Sequence, residues 1–220
     1  MNTHRPAKRK LARDAIVVLP RDLVAHPRAR EMARRAPGRV AHLSVAEIEA
    51  RVWQVRAGSA LPGTAVFADV SRQNYPLFPR PIYVDMLKTC RTCHRPFLFY
   101  ANEQRFWFET LRLPIDVDCV NCVPCRKHAR RVKASLDRYA NALNAARLDA
   151  KDMKTFVDDT QFLLEQGLLR NLSRVGALKN RARRELPAYA GTQRLADALA
   201  RAREAAEMRP GAWRNRHWAA

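Results

Sequence analysis

The chain has 220 residues, a hydrophobic fraction of 47%, and 41 Lys+Arg against 21 Asp+Glu, a formal charge of +20. That length allows one medium domain or two small ones, and the apolar content allows a buried core. The charge excess favours a polyanionic partner, nucleic acid or an anionic surface. No stretch approaches the length of a membrane span, and the basic start MNTHRPAKRK is followed only by AIVVLP, too short for the apolar region of a signal peptide. A cytoplasmic protein without a membrane partner is expected.

Residues 1–42 are rich in Arg, Ala and Pro and read as a mobile basic arm. LSVAEIEARVWQV predicts a helix over 43–57, with Ser44 and Glu47 at capping-box spacing and Val45, Ile48, Val52 and Val55 on one apolar stripe. Residues 58–87 are punctuated by proline (SRQNYPLFPRPIYVD) and predict an extended linker packed on its neighbour. GSALPGT has the outline of a phosphate loop but no lysine, and is set aside.

All five cysteines lie between Cys90 and Cys125. In a reducing interior such a cluster points to metal rather than disulfides. Residues 88–128 therefore predict a zinc-ribbon module with one structural Zn2+ in place of a core too small to stand alone. Cys90 and Cys93 form the first C-x2-C pair. Cys119, Cys122 and Cys125 follow at spacings of three, so the second pair is either Cys119 with Cys122 or Cys122 with Cys125. Four thiolates close the coordination sphere and leave no position for substrate. His94 stands where such a turn favours glycine, and histidine tolerates positive φ better than most residues. Phe97, Phe99, Tyr100, Phe106, Trp107 and Phe108 are expected to form the module's own core rather than a base-stacking platform.

The stretch from Ala68 to Arg131 resembles a bacterial probable zinc-ribbon (probable zinc-binding domain) family. The resemblance rests on ADVSRQN, RPIYVD, Cys90-x2-Cys93, FLFY, Glu103-Gln104 ahead of Phe106-Trp107-Phe108, and Cys122-x2-Cys125 followed by Arg126-Lys127. It implies a four-cysteine zinc site on Cys90, Cys93, Cys122 and Cys125, with Cys119 a spare or alternative ligand. The family brings no established activity with it.

Beyond the cysteines, residues 129–220 predict a helical region. Ala129, Val132, Leu136, Tyr139, Leu143 and Ala146 make a stripe at threes and fours. A second helix is expected from an Asp149 cap to Gly167, with Met153, Phe156, Val157, Leu163 and Leu164 inward. A third covers about Ser173–Glu185 and stops at Pro187. A fourth runs Thr192–Met208 before Pro210-Gly211. The fold class expected is α+β, mostly α: a small zinc ribbon, a helical C-terminal bundle and an extended basic arm.

RKHARRVK follows the last knuckle without an acid. On a helix, Arg126, Arg130 and Lys133 form one row, and Lys127, Arg131 and Arg138 approximate another, suited to phosphate contact. KNRARR and the terminal AWRNRHW repeat the theme. No H-E-x-x-H, deaminase, G-x-S-x-G or Walker pattern is present; the carboxylates Asp116 and Asp118 read as dressing the knuckle loop, and Asp158 and Asp159 as a solvated helix face. The expectation is a non-enzyme without a small-molecule substrate that binds RNA or DNA. The alternative is a zinc-stabilised protein-interaction or scaffold module, with a thiol sensor built on Cys119 a more distant third.

Overall fold

The computed structural model describes residues 19–34, 43–51, 59–75 and 77–208. Much of the expected arm, Val52 and Val55 of the expected helix, and the AWRNRHW end lie outside them. The chain divides after Arg126 into two compact units.

The first unit is built around short elements. Helix α1 (Ala29–Met32) and helix α2 (Val45–Arg51) precede strand β1 (Val66–Phe67), a 3-10 turn (Val70–Arg72) and strand β2 (Ile82–Tyr83). Strands β3 (Met86–Thr89) and β4 (Pro96–Phe99) follow, then helix α3 (Ala101–Arg105), which widens into a π turn over Phe106–Thr110. The strands form two antiparallel pairs, β1 with β2 and β3 with β4, the latter in the register Met86 to Phe99 and Thr89 to Pro96. The capping box forms: the Glu47 carboxylate accepts from the Ser44 N–H at 2.9 Å and Ser44 Oγ accepts from the Glu47 N–H at 3.3 Å. Ile48 is then fully buried.

One sequence expectation needs correction here. Residues 19–34, expected within a mobile arm, are docked on the β3–β4 hairpin. The Val24 N–H donates to the Pro96 carbonyl at 2.8 Å, Arg95 donates to the Asp22 carbonyl at 3.1 Å, and Asn102 donates to that of Met32 at 2.9 Å. Val24 and Met32 supply the apolar surface that makes docking favourable. The expected linker, read as packed on its neighbour, contributes to the core. Ala60, Ala65, Ile82 and Val84 are buried in one cluster with Phe97, Phe99 and three cysteines.

The second unit is helical. Helix α4 (Val123–Asn144) begins in the first unit, and helices α5 (Ala150–Glu165), α6 (Leu172–Glu185) and α7 (Ala190–Glu207) follow. The caps agree with the residues that predict them. Asp149 accepts from the Asp152 N–H at 2.7 Å, and Asn171 from that of Arg174 at 2.9 Å. Helix α5 ends in a Schellman motif, with Gly167 at φ +69 and the Leu168 N–H donating to the Leu163 carbonyl at 3.0 Å. Helices α5, α6 and α7 pack mutually through Met153, Phe156, Val157, Leu164, Val175, Leu178, Leu195 and Leu199.

Helix α4 departs from the expected stripe. Ala129 and Leu136 are exposed, Tyr139 and Leu143 are partly buried against the cluster, and Ser135 is its buried residue. A polar clamp substitutes for the missing apolar packing. The Asp159 carboxylate on α5 accepts from Ser135 Oγ at 2.8 Å and from two nitrogens of Arg138 at 2.7 Å each. Asp159, read from the sequence as solvated, is 6% exposed.

Candidate metal centre

The first cysteine pair occupies the turn between β3 and β4. The Cys90 N–H donates to the Arg95 carbonyl and the His94 N–H to that of Cys90, each at 2.9 Å, which folds the turn tightly. Such a turn needs one left-handed residue, and His94 takes it at φ 57. The second pair lies elsewhere than on a second knuckle. Cys122 immediately precedes α4, its carbonyl accepting the Arg126 N–H at 3.0 Å, and Cys125 sits in the first turn. Pro124 is tolerated there because a first-turn N–H needs no intrahelical partner. The positive end of the helix thus faces sulfurs that carry negative charge as ligands. The Arg91 N–H, donating to the Val120 carbonyl at 2.9 Å, ties the two segments together.

Sγ atoms of Cys90, Cys93, Cys122 and Cys125 all lie within 4.8 Å of one another. The Cys93 and Cys122 sulfurs are 3.9 Å apart, far beyond a disulfide bond of about 2.05 Å. Zn–S bonds of about 2.3 Å in a tetrahedron place sulfurs about 3.8 Å apart, so this donor set fits Zn2+. As free thiols, Cys90 and Cys125 are driven in opposite directions. Burial raises Cys90, but N–H groups of Cys93, Cys122 and Thr92 outweigh it and hold the thiol down to about 6. Burial and the sulfurs of Cys122, Cys90 and Cys93 push Cys125 up to about 12. A bound dication removes that conflict by stabilising all four thiolates together.

Cys119 is outside this cluster. It is 1% exposed, its sulfur 3.5 Å from the Asn121 carbonyl oxygen, and burial pushes its thiol up to about 12. It packs in the core with Phe97 and Phe99.

Polar residues of the shared motifs, whose roles the sequence leaves unassigned, prove to be braces around the centre. Asp85 accepts from the Ala101 N–H at 2.7 Å and so caps α3. Gln104 donates to the carbonyls of Val84 at 2.5 Å and Phe99 at 3.0 Å, joining the two strand pairs. Glu103 accepts from Arg126 at 2.5 Å and lies 3.8 Å from His26. For Asp85 the signal in the sequence is a single acid inside the apolar run IYVDML, where burial demands a partner; Glu103 and Gln104 sit in the polar run NEQR and carry no such signal.

Of the cations assigned to phosphate contact, Arg126 is engaged within the first unit. Its guanidinium is occupied by Glu103 and lies 4.9 Å from the Trp107 ring centre. Lys127, Arg130 and Lys133 are exposed on α4. Arg131 lies over Phe162 at 4.0 Å. Asp118 pairs with Lys88, and Asp158 accepts from the Tyr189 hydroxyl at 2.5 Å. Phe97, Phe99 and Phe108 are buried, whereas Phe106 is 46% exposed.

Residues 84–134 match the family model described as a probable treble clef domain. No curated protein and no solved structure matches the chain. The four converging cysteines and this match together identify a zinc-binding site in a treble clef domain.

Proposed function

We propose that this chain is a non-catalytic zinc-binding protein whose metal is structural and whose α4 cations bind nucleic acid through its phosphates. One ion held by Cys90, Cys93, Cys122 and Cys125 would organise the first unit, and four sulfur ligands leave it no open position for chemistry. The observation that carries the nucleic-acid reading is a cluster of exposed cations close together on α4. Arg138, Arg181, Arg194 and Arg201 each pair with an acid. Lys127, Arg130 and Lys133 are exposed and have no ion-pair partner among the described residues. A run of uncompensated cations on one rigid helix, in a chain of formal charge +20, is arranged to displace counterions from a polyanion.

The test is fluorescence anisotropy of labelled RNA and duplex DNA with zinc-loaded protein across a salt series. Wild type is expected to bind with a steep salt dependence. Lys127→Glu, Arg130→Glu and Lys133→Glu combined should weaken binding. The slope for duplex DNA should become shallower by about 0.9 for each phosphate no longer neutralised. Arg126 is left intact, because its removal would strand the Glu103 carboxylate. Unchanged affinity in the triple variant removes α4 as the grip, and weak, salt-independent binding by wild type removes the reading itself.

A further inference from the structure

Helix α6 carries cations that the reading of α4 leaves unused. From Arg170 to Glu185 the chain has six Lys or Arg and one acid, Glu185. That acid is paired with Arg181 at 2.8 Å. Arg174, Arg183 and Arg184 are exposed and have no ion-pair partner among the described residues.

Helical phase sorts these residues. At about 100° per residue, Ser173, Ala177, Asn180 and Arg184 lie opposite the buried Val175, Leu178 and Ala182. Arg174 and Arg181 line one margin of that outer face, and Arg183 and Gly176 line the other. A Cβ on Gly176 would stand 3.2 Å from the Arg203 guanidinium of α7, so glycine lets that arginine rest against the second margin. Glu204 lies on the side of α7 away from the buried Leu195 and Leu199. Glu207, one turn beyond Arg203, makes no ion pair with it among the described residues. The face thus sets five arginines against Glu185 and Glu207.

The centre of the face points to the partner's chemistry. Ser173, Ala177 and Asn180 are exposed and short, with cations at both margins. A protein interface or a lipid-binding face would put large apolar or aromatic side chains at that centre. A sugar-phosphate strand instead needs guanidinium forks and room for close approach, and a serine hydroxyl and a side-chain amide can donate to phosphate oxygens. From Arg174 to Arg184 the helix rises about 15 Å. One strand of a duplex advances about 3.4 Å of axis per phosphate, so roughly four phosphates match that length. We infer that the outer face of α6 is a second phosphate-binding surface for one strand of RNA or DNA. Arg174 and Arg181 flank the strand on one side, Arg183 and Arg203 on the other, with Arg184 at its end. The inference rests on the nucleic-acid reading for the class of partner and does not depend on the α4 cations.

The experiment measures anisotropy of labelled single-stranded RNA and duplex DNA with the full-length zinc-loaded chain. Arg174→Glu/Arg184→Glu should lose at least tenfold affinity and show a shallower salt slope. Ala177→Leu, which fills the centre without changing charge, should lose at least threefold. Arg147→Glu/Lys151→Glu makes the same charge change at exposed residues outside the face and should stay within twofold of wild type. Zinc content and melting should match wild type throughout; if the α6 charge reversal melts early, Arg174→Gln/Arg184→Gln replaces it. Equal losses in the control pair and the α6 pair would mean that binding follows net charge, and would overturn the inference. So would wild-type affinity in both α6 variants. Labelled polyglutamate bound as tightly as RNA, and lost with the same substitutions, would assign the face to an acidic protein and overturn it too. The combined α4 variant separates the two readings. Loss there with none on α6 overturns this inference alone, and loss on α6 with none there removes only the α4 grip.

Discussion

The helical unit and the zinc unit solve the problem of a small core differently. In the first case α5, α6 and α7, of 16, 14 and 18 residues, each present an apolar stripe long enough to bury against the others. Met153, Val157, Val175 and Leu195 are at or near zero exposure. In the second case no strand among the described residues exceeds four residues. Its interior holds Arg80, Asp85, Glu103 and Gln104 beside its aromatic rings. Isolated hairpins of this length are marginal in water, so metal and polar braces must supply what apolar area does not. Long periodic helices carry their own stability, whereas short strands borrow it from a site.

The largest expected effect tests that contrast directly. Cys122→Ser should lose zinc and unfold the first unit, because structural zinc in small domains contributes about 10–16 kcal/mol of folding free energy. Metal analysis with hydrogen exchange should show protection lost over 84–126 and kept over 150–207. Cys119→Ser should retain zinc, since its sulfur is outside the four-sulfur cluster. Loss of protection in both units together would break the comparison.

A smaller effect should come from the other side. Leu195 is fully buried, and Leu195→Ala should cost about 2–5 kcal/mol in urea unfolding of the helical signal. Zinc content should be unaffected. Zinc release in this variant would mean that the helical core supports the metal centre.

The smallest effect concerns the docked segment 19–34. Burial lowers the His26 pKa below its ordinary 6.5, opposed in part by the Glu103 carboxylate. Between the folded and ordinary values the unfolded chain therefore binds a proton that the folded chain does not. Stability of the docked segment is fully present above 6.5 and declines as pH falls through that window. Protection over 20–34, taken relative to the intrinsic exchange rate at each pH, should fall on acidification in wild type and lose that pH dependence in His26→Gln. An unchanged profile in the variant would assign the effect to another group.

Much of this protein was legible because it depends on near neighbours. C-x2-C spacing, the Ser44/Glu47 box, the Asp149 cap, the Gly167 stop and the left-handed His94 all act within about one turn of chain. Helix periodicity located α5, α6 and α7 for the same reason. It misjudged α4, whose spacing is amphipathic but whose attachment depends on Asp159, 24 residues from Ser135 and 21 from Arg138. The cations of RKHARRVK look equivalent in sequence, yet Arg126 is taken by Glu103, 23 residues away.

Donor types, cap positions, helical cores and charge can therefore be read from the chain directly, because local chemistry and composition set them. Folding settles the rest: which cysteines converge, which arginines remain available, and that Gln73 and Arg80 pair in the interior. Those outcomes depend on pairings such as Gln73 with Arg80, 7 residues apart, and Arg80 with Ile115, 35 apart. A buried polar group takes whichever partner the folded chain brings within reach, and spacing alone does not specify that partner.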